Sequence, residues 1–431
     1  MQTLSQGLVK LIRGQTIESK DIDKASLLML DAVANSFAGR NSEAGRKLLD
    51  WGHDRPMDAG REAFVMGALA HILEVDDIHR ASVVHTGCVT VPVILSLAAS
   101  HGISGKLLLK SLIFGVEAAS RVGMAVGPDH YKVWHNTATC GPYGSAMAAA
   151  TLLELGNTAT MHALGNAGTQ SSGFWEFLRT GAMSKHLHAG RAAEAGILAA
   201  ELAKLDFTGP PEILEGPKGF FSATCLNPNP AAVLQKSDSI WQIHDTSLKP
   251  WPSCRHTHPA IDAALRIAGK VDIQNIASVL VKTYWAALDV CDRPIVNSAY
   301  GAKFSIQHCV AAALHFGRIE FSSFDDTARR NVSECALKIK IVCDDSYNRE
   351  YPAAWGAEVT VKNINGQEIS ATAPLCKGDP EAFLSEEEII EKAYQLMRFG
   401  GIEKPTGIID QVLGISSGKT APHPALILSK G

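Results

Sequence analysis

Runs rich in alanine and other small residues recur through the first half of the chain, at 25–34, 62–73, 92–100, 106–126, 144–155, 158–169 and 189–205. Their apolar positions fit largely buried helices. Small side chains let helix axes approach closely, so this half is constrained toward a multi-helix bundle. Gly102 and Gly156 stand where helices are expected to stop. The apolar run 89–99 contains Pro92 and is too short to span a membrane, so it reads as a core helix.

The texture changes after about residue 270. Residues 277–284 and 336–342 are rich in β-branched side chains and partly alternate, and 304–316 between them reads as a helix. Residues 357–362 and 368–372 flank Asn365-Gly366, a hairpin signal. Helical character resumes at Ser385, an expected N-cap with Glu388 in the capping-box position. The fold class expected is mainly α. A discontinuous all-helical bundle domain, residues 1–265 and 384–431, is joined by a smaller α+β lid domain at 266–383.

Composition narrows the function classes. With 431 residues and 46% hydrophobic against 19% charged, the chain can bury a large core and is not disordered. Its 40 Lys+Arg against 44 Asp+Glu leave a net charge of -4, which argues against nucleic-acid binding. No basic-then-apolar leader and no transmembrane run are read. The nine cysteines lack CxxC pairs or zinc-finger spacing, so reduced thiols and a cytoplasmic location are expected. Of 16 histidines, nine fall between His71 and His188, and that crowding asks for a reason.

Four segments concentrate chemistry. The first, 71–79 followed by His85-Thr86-Gly87, places Glu74, Asp76 and Asp77 among imidazoles. Such a cluster can transfer protons or hold a metal; helix-end capping by the aspartates with a core histidine is the structural alternative. The second, 131–144, carries His135, Cys140 and Tyr143. Gly141 and Gly144 would let a loop approach a ligand before the next helix starts; a plain structural turn is the alternative. In the third, 183–191, Lys185, His188 and Arg191 recur every three residues and would share roughly one helix face. These cations suit an anionic substrate, unless they form a solvated basic helix start. The fourth, 247–259, runs through prolines into a helix near Pro259 and carries Lys249, Arg255, His256 and His258. A Pro-rich linker is its structural alternative. No HExxH occurs, and no metal is expected.

Together these segments resemble the MmgE/PrpD family over nearly the whole chain. Glu74-Val75-Asp76-Asp77-Ile78-His79 with His85-Thr86-Gly87 is similar to its D-x-D-D-T-x…H-P segment. His135 with Thr139-Cys140-Gly141-Pro142-Tyr143-Gly144 is similar to H-P-T-x-x-C-G-x-x-G. Ser184-Lys185-His186-Leu187-His188-Ala189-Gly190-Arg191-Ala192-Ala193 is similar to T-K-x-L-H-x-G-x-A-A, the most specific of the set. Lys249-Pro250-Trp251-Pro252-Ser253-Cys254 is similar to K-x-x-P-x-C. The sequence departs from the family's decarboxylases at Glu74 for the first acid, at Ile78 for threonine and at His308 for a lid tyrosine. One extra residue precedes His85.

The resemblance implies a helical domain with a smaller lid, a site between them, a homodimer, and no metal or organic cofactor. It also implies proton movement at a carbon next to a carboxylate. By the resemblance, His85, His135, Lys185 and Lys249 are catalytic. Asp77 would orient an imidazole, and His308 would arrive from the lid as a second acid–base group. Glu74, Tyr143, His188, Arg191 and Arg255 would bind substrate. The activity expected is a cofactor-independent lyase, dehydratase or decarboxylase, on a small di- or tricarboxylate. The alternatives are a two-base epimerase of a polycarboxylate such as iminodisuccinate and a catalytically silent polycarboxylate binder. Neither a nucleic-acid nor a membrane partner is expected.

Overall fold

Helices in this protein begin and end where local chemistry directs. Ser385 caps Glu386–Phe399 and forms the capping box with Glu388. Gly102, at φ 67°, ends Gly87–His101 in the left-handed conformation glycine favours. Pro92 lies inside that helix, which is buried along most of its length as a core helix should be. The reversal after Asn136–Leu152 is made by Glu154 at φ 53°; Gly156 instead precedes the next helix, Asn157–Gly168, as its N-cap.

The computed structural model describes residues 2–54, 56–235 and 240–429. The fold is mainly α. The chain divides into two compact units, Met1–Leu248 with Ser385–Gly431, and Lys249–Leu384.

In the first unit, Asn136–Leu152 packs between Lys106–Ala125 and Ser184–Lys204, and Ser184–Lys204 also packs on Ala59–Ile72 and Asn157–Gly168. Ser19–Gly39 lies against Ala59–Ile72 and receives the returning helix Glu386–Phe399. These contacts are close because the facing residues are small. A β-carbon on Gly196 would overlap both the backbone and the side chain of Ser145 on the neighbouring helix. A buried cluster of Ala70, Cys88, Val89, Ala189 and Ala192 joins three of the helices that carry the chemical groups described below. Among the described residues, no helix is long and apolar enough to cross a membrane.

The second unit holds a four-stranded sheet in the order Ile339–Cys343, Ile276–Thr283, Ala357–Asn363, Glu368–Ala373. The first pair is parallel and the others antiparallel, with Gly366 at φ 81° in the turn of the expected hairpin. The helix His258–Ala268 packs on Ile306–Phe316 and on the last two strands. It therefore belongs to this unit, and the boundary falls at Leu248–Lys249, earlier than residue 265. The strand expected from 336 starts at Ile339, because Asp325 caps a helix that runs through Leu337.

The glycine contact sets a direct expectation. Gly196→Ala should lower the unfolding free energy by about 1–3 kcal/mol through overpacking, read as a lower urea midpoint at unchanged slope; an unchanged midpoint would contradict the packing described.

Candidate active site

The acidic segment follows the end of helix Ala59–Ile72. Glu74 takes a left-handed backbone, φ 61°, and the chain then runs through Asp76 and Asp77 into a short strand, Ile78–His79, paired with Thr246–Ser247. All three carboxylates are buried. A buried carboxylate needs donors or a cation, and each acid finds different ones.

Asp77 accepts from the Thr86 amide at 2.9 Å, the Thr86 hydroxyl at 2.8 Å and the Gly87 amide at 2.9 Å. It thus closes the start of helix Gly87–His101, and a β-carbon on residue 87 would overlap its Oδ1. Burial, then the charges of Asp76 and Asp31, push its carboxyl up to about 7. Its oxygens serve a helix start, which corrects the expectation that Asp77 orients an imidazole.

Asp76 does that instead. Its Oδ2 lies 2.7 Å from His71 Nδ1 and 3.1 Å from His85 Nδ1. His71 and Asp76 both fall in the candidate cluster 71–79, where the sequence assigns neither a specific role. The helical spacing that hides His71 in an apolar stripe also brings it to the end of the helix facing Asp76. Cys88 Sγ belongs to the same compact group as His71 and Asp76, all ligand-type atoms within 4.8 Å, and its thiol donates to the His85 carbonyl.

Glu74 accepts from Lys185 Nζ with both oxygens, at 2.5 and 2.6 Å, and both side chains are buried. Lys185 sits in the first turn of Ser184–Lys204. His135 precedes Asn136–Leu152, its amide held by the Gly173 carbonyl at 3.0 Å. Its ring stacks nearly parallel to that of His71 at 5.6 Å and lies 4.8 Å from that of Trp175. His135 Nδ1 meets His188 Nδ1 at 3.1 Å, so one imidazole donates and the other accepts. Burial holds His135 well below the ordinary histidine range, and the charges of His188, Lys185, His71 and His85 add to this. His188 is pushed down to about 4, first by burial and then by His71 and Lys185. Both imidazoles are therefore neutral at pH 7. The structure brings together Glu74, His85, His135, Lys185 and His188 from the sequence reading, and adds His71, Asp76 and Trp175.

Other expected residues lie elsewhere. Arg191 is exposed and pairs with Glu194. At 3.6 residues per turn, six residues carry it about 120° round the helix from Lys185, so the two do not share a face. Tyr143 is buried against Phe220, inside the helix that starts at Asn136, so the expected glycine loop is helix. His79 is a core histidine, bonded to Ser82 at 2.8 Å and Gln242 at 2.9 Å and pushed by burial down to about 4.

Three expected residues belong to the second unit. Lys249 is buried, and its charge adds to burial in lowering His256 to about 3. Arg255 pairs with Asp379 and donates to the Lys377 carbonyl at 3.1 Å, a brace internal to that unit rather than a substrate clamp. His308 Nε2 donates to the Ser323 carbonyl at 2.8 Å while its ring packs on Phe324, so it serves packing where an acid–base role was expected.

The helices of the first unit thus bury a row of imidazoles beside a paired ammonium. The chain matches the model of the MmgE/PrpD N-terminal domain over residues 7–232 and that of the MmgE/PrpD C-terminal domain over 251–413. It belongs to the MmgE/PrpD family and is an enzyme of that type. It is 25% identical to a cis-aconitate decarboxylase-like protein, oryM, of Aspergillus oryzae, covering 88% of this chain and 87% of that protein. It is 24% identical to a cis-aconitate decarboxylase of Aspergillus terreus (87% and 85%) and 25% identical to the human cis-aconitate decarboxylase (91% and 87%).

His79 gives a pH signature. Its folded-state value near 4 lies below the unfolded 6.5, so between those limits the unfolded chain binds more protons and stability falls on acidification. In His79→Gln, the slope of unfolding free energy against pH in this window should be shallower than wild type by up to about 1.4 kcal/mol per unit. Parallel slopes would remove His79 from the linkage.

Proposed function

We propose that the protein is a lyase acting on a small di- or tricarboxylate, losing water or CO2 through proton movement at a carbon next to a carboxylate. One observation carries this reading: a neutral, buried His135 shares its surroundings with the Lys185 ammonium, which Glu74 holds in place. A carbon acid next to a carboxylate is very weak. Moving its proton needs a free base and a positive charge where negative charge develops.

His135 is a base that stays unprotonated at pH 7, because burial and neighbouring charge both disfavour its cation. His188 accepts or returns the proton at Nδ1, the shared contact. Glu74 holds the Lys185 ammonium with both oxygens until a substrate carboxylate shares it. His85, whose Nδ1 lies 3.1 Å from Asp76 Oδ2, is the second acid–base group. The named activity of the relatives, decarboxylation of cis-aconitate, is of this class, and the substrate here is taken as a polycarboxylate of similar size. The epimerase alternative leaned on His308, whose ring nitrogen is engaged by Ser323.

The purified protein should be incubated in D2O with a panel of di- and tricarboxylates. Growth of an alkene absorbance or release of CO2 is expected with at least one member. Deuterium entry without change of constitution would point to epimerisation instead, and neither exchange nor turnover would overturn the enzyme reading for that panel. His135→Ala should lower kcat/KM by at least about 100-fold. Lys185→Ala removes the charge but also takes the ammonium away from the buried Glu74 carboxylate, costing about 3–5 kcal/mol. Lys185→Met combined with Glu74→Gln should recover most of that stability while turnover stays lost; recovered turnover would refute the role of the ammonium.

A further inference from the structure

Three tryptophans elsewhere in the chain give their indole N–H to an acceptor. Trp241 donates to the Thr16 carbonyl at 3.0 Å, Trp251 to Asp262 at 2.8 Å and Trp355 to the Pro352 carbonyl at 3.0 Å. Trp175 differs. Its Nε1 is shut off from solvent and has no hydrogen-bond partner among the described residues. An unpaired N–H in that position is destabilising, and phenylalanine would supply an aromatic ring without it.

The chain holds this indole at a defined place. The Trp175 amide donates to the Val133 carbonyl at 3.1 Å, and the His135 amide donates to the Gly173 carbonyl at 3.0 Å. With the antiparallel bridge between Trp134 and Phe174, these bonds clamp residues 173–175 against 133–135. Gly173 makes the close approach possible. It sits at φ 141°, and a β-carbon there would overlap the Ala138 β-carbon and crowd the His188 ring. The indole then packs on the His135 ring at 4.8 Å, with Tyr131 and Phe177 also against it at 5.2 and 5.4 Å.

An indole N–H only donates, so whatever meets it must bring an acceptor. The charge of Lys185 is felt at both His135 and His188, and the field at these rings favours an anion. We propose that Trp175 is a substrate-binding residue: its indole N–H donates to a carboxylate oxygen of the molecule whose proton His135 moves. That this molecule is a polycarboxylate rests on the lyase reading; the unpaired N–H and its place beside His135 rest on the geometry alone. The residue supplies a neutral donor where a further ammonium would have made His135 harder still to protonate.

The test is binding, read apart from turnover. Tricarballylate, a saturated tricarboxylate with no hydroxyl group to lose, is titrated calorimetrically into the full-length wild type and into Trp175→Phe. Kd should rise about 10- to 100-fold in the variant. The same acid is titrated into wild type carrying 15N-indole tryptophan. The Trp175 N–H signal is identified by its loss in Trp175→Phe or, should that variant fail to fold, in Trp175→Tyr. It should move downfield and exchange more slowly with solvent as the site fills, while the already paired Trp241 and Trp355 signals stay in place. Equal Kd values, an unmoved Trp175 signal at saturation, or a wild type that does not bind the acid overturns the proposal. Turnover of a polycarboxylate alongside equal Kd values leaves the lyase reading standing while this proposal falls. Weaker binding by Trp175→Phe in a protein that turns over no polycarboxylate supports the carboxylate contact and counts against the lyase reading.

Discussion

Glu74, Asp76 and Asp77 lie within four consecutive positions, all out of reach of water. Three carboxylates cannot be buried together without separate partners, because desolvation and mutual repulsion both oppose their charges. Much of the first unit can be understood as the supply of those partners. A helix start holds Asp77, two imidazoles hold Asp76 and an ammonium holds Glu74. The returning helix adds a fourth contact. Its Lys392 bonds Asp31 at 2.5 Å and the Val75 carbonyl at 2.8 Å, between Glu74 and Asp76. Apart from His85, which precedes the helix start that holds Asp77, the partners come from different helices, so satisfying the acids also fixes how those helices pack.

That packing creates the chemistry. Small residues at Ala70, Ala189, Ala192 and Gly196 let helices come close enough for His71, His135, His188 and Lys185 to meet. Burial there, with the charges of the neighbouring groups added to it, keeps His135 and His188 neutral. A neutral imidazole next to a charged amine is an unusual pairing in water and an easy one in this interior, where Glu74 compensates the amine.

Several local features were legible in the sequence because they depend on near neighbours. The Ser385 capping box, the Gly366 hairpin and the core helix containing Pro92 each follow from residues within a few positions. Where the reading slipped, a longer-range choice had won. Gly141 and Gly144 looked like loop glycines, yet they lie inside a helix that packs on its neighbours. Arg191 looked like a partner of Lys185 because spacing by three resembles one face over a single step; over two steps the drift carries it to solvent. Asp77 and Asp76 are adjacent and chemically equal, and only the fold assigns one to a helix start and the other to two imidazoles.

By itself the sequence determined the class of the fold, the family motifs and the set of acids, imidazoles and amines available, since composition, periodicity and spacing are properties of the chain. Tertiary structure decided which of those groups work together. It chose Asp76 over Asp77, drew in His71, and set Arg191, Tyr143, Arg255 and His308 to structural or surface contacts. The reason is physical: a hydrogen bond or an ion pair is settled within about 3 Å, and contacts such as Lys185 with Glu74 join residues 111 positions apart, a distance over which no local pattern carries information.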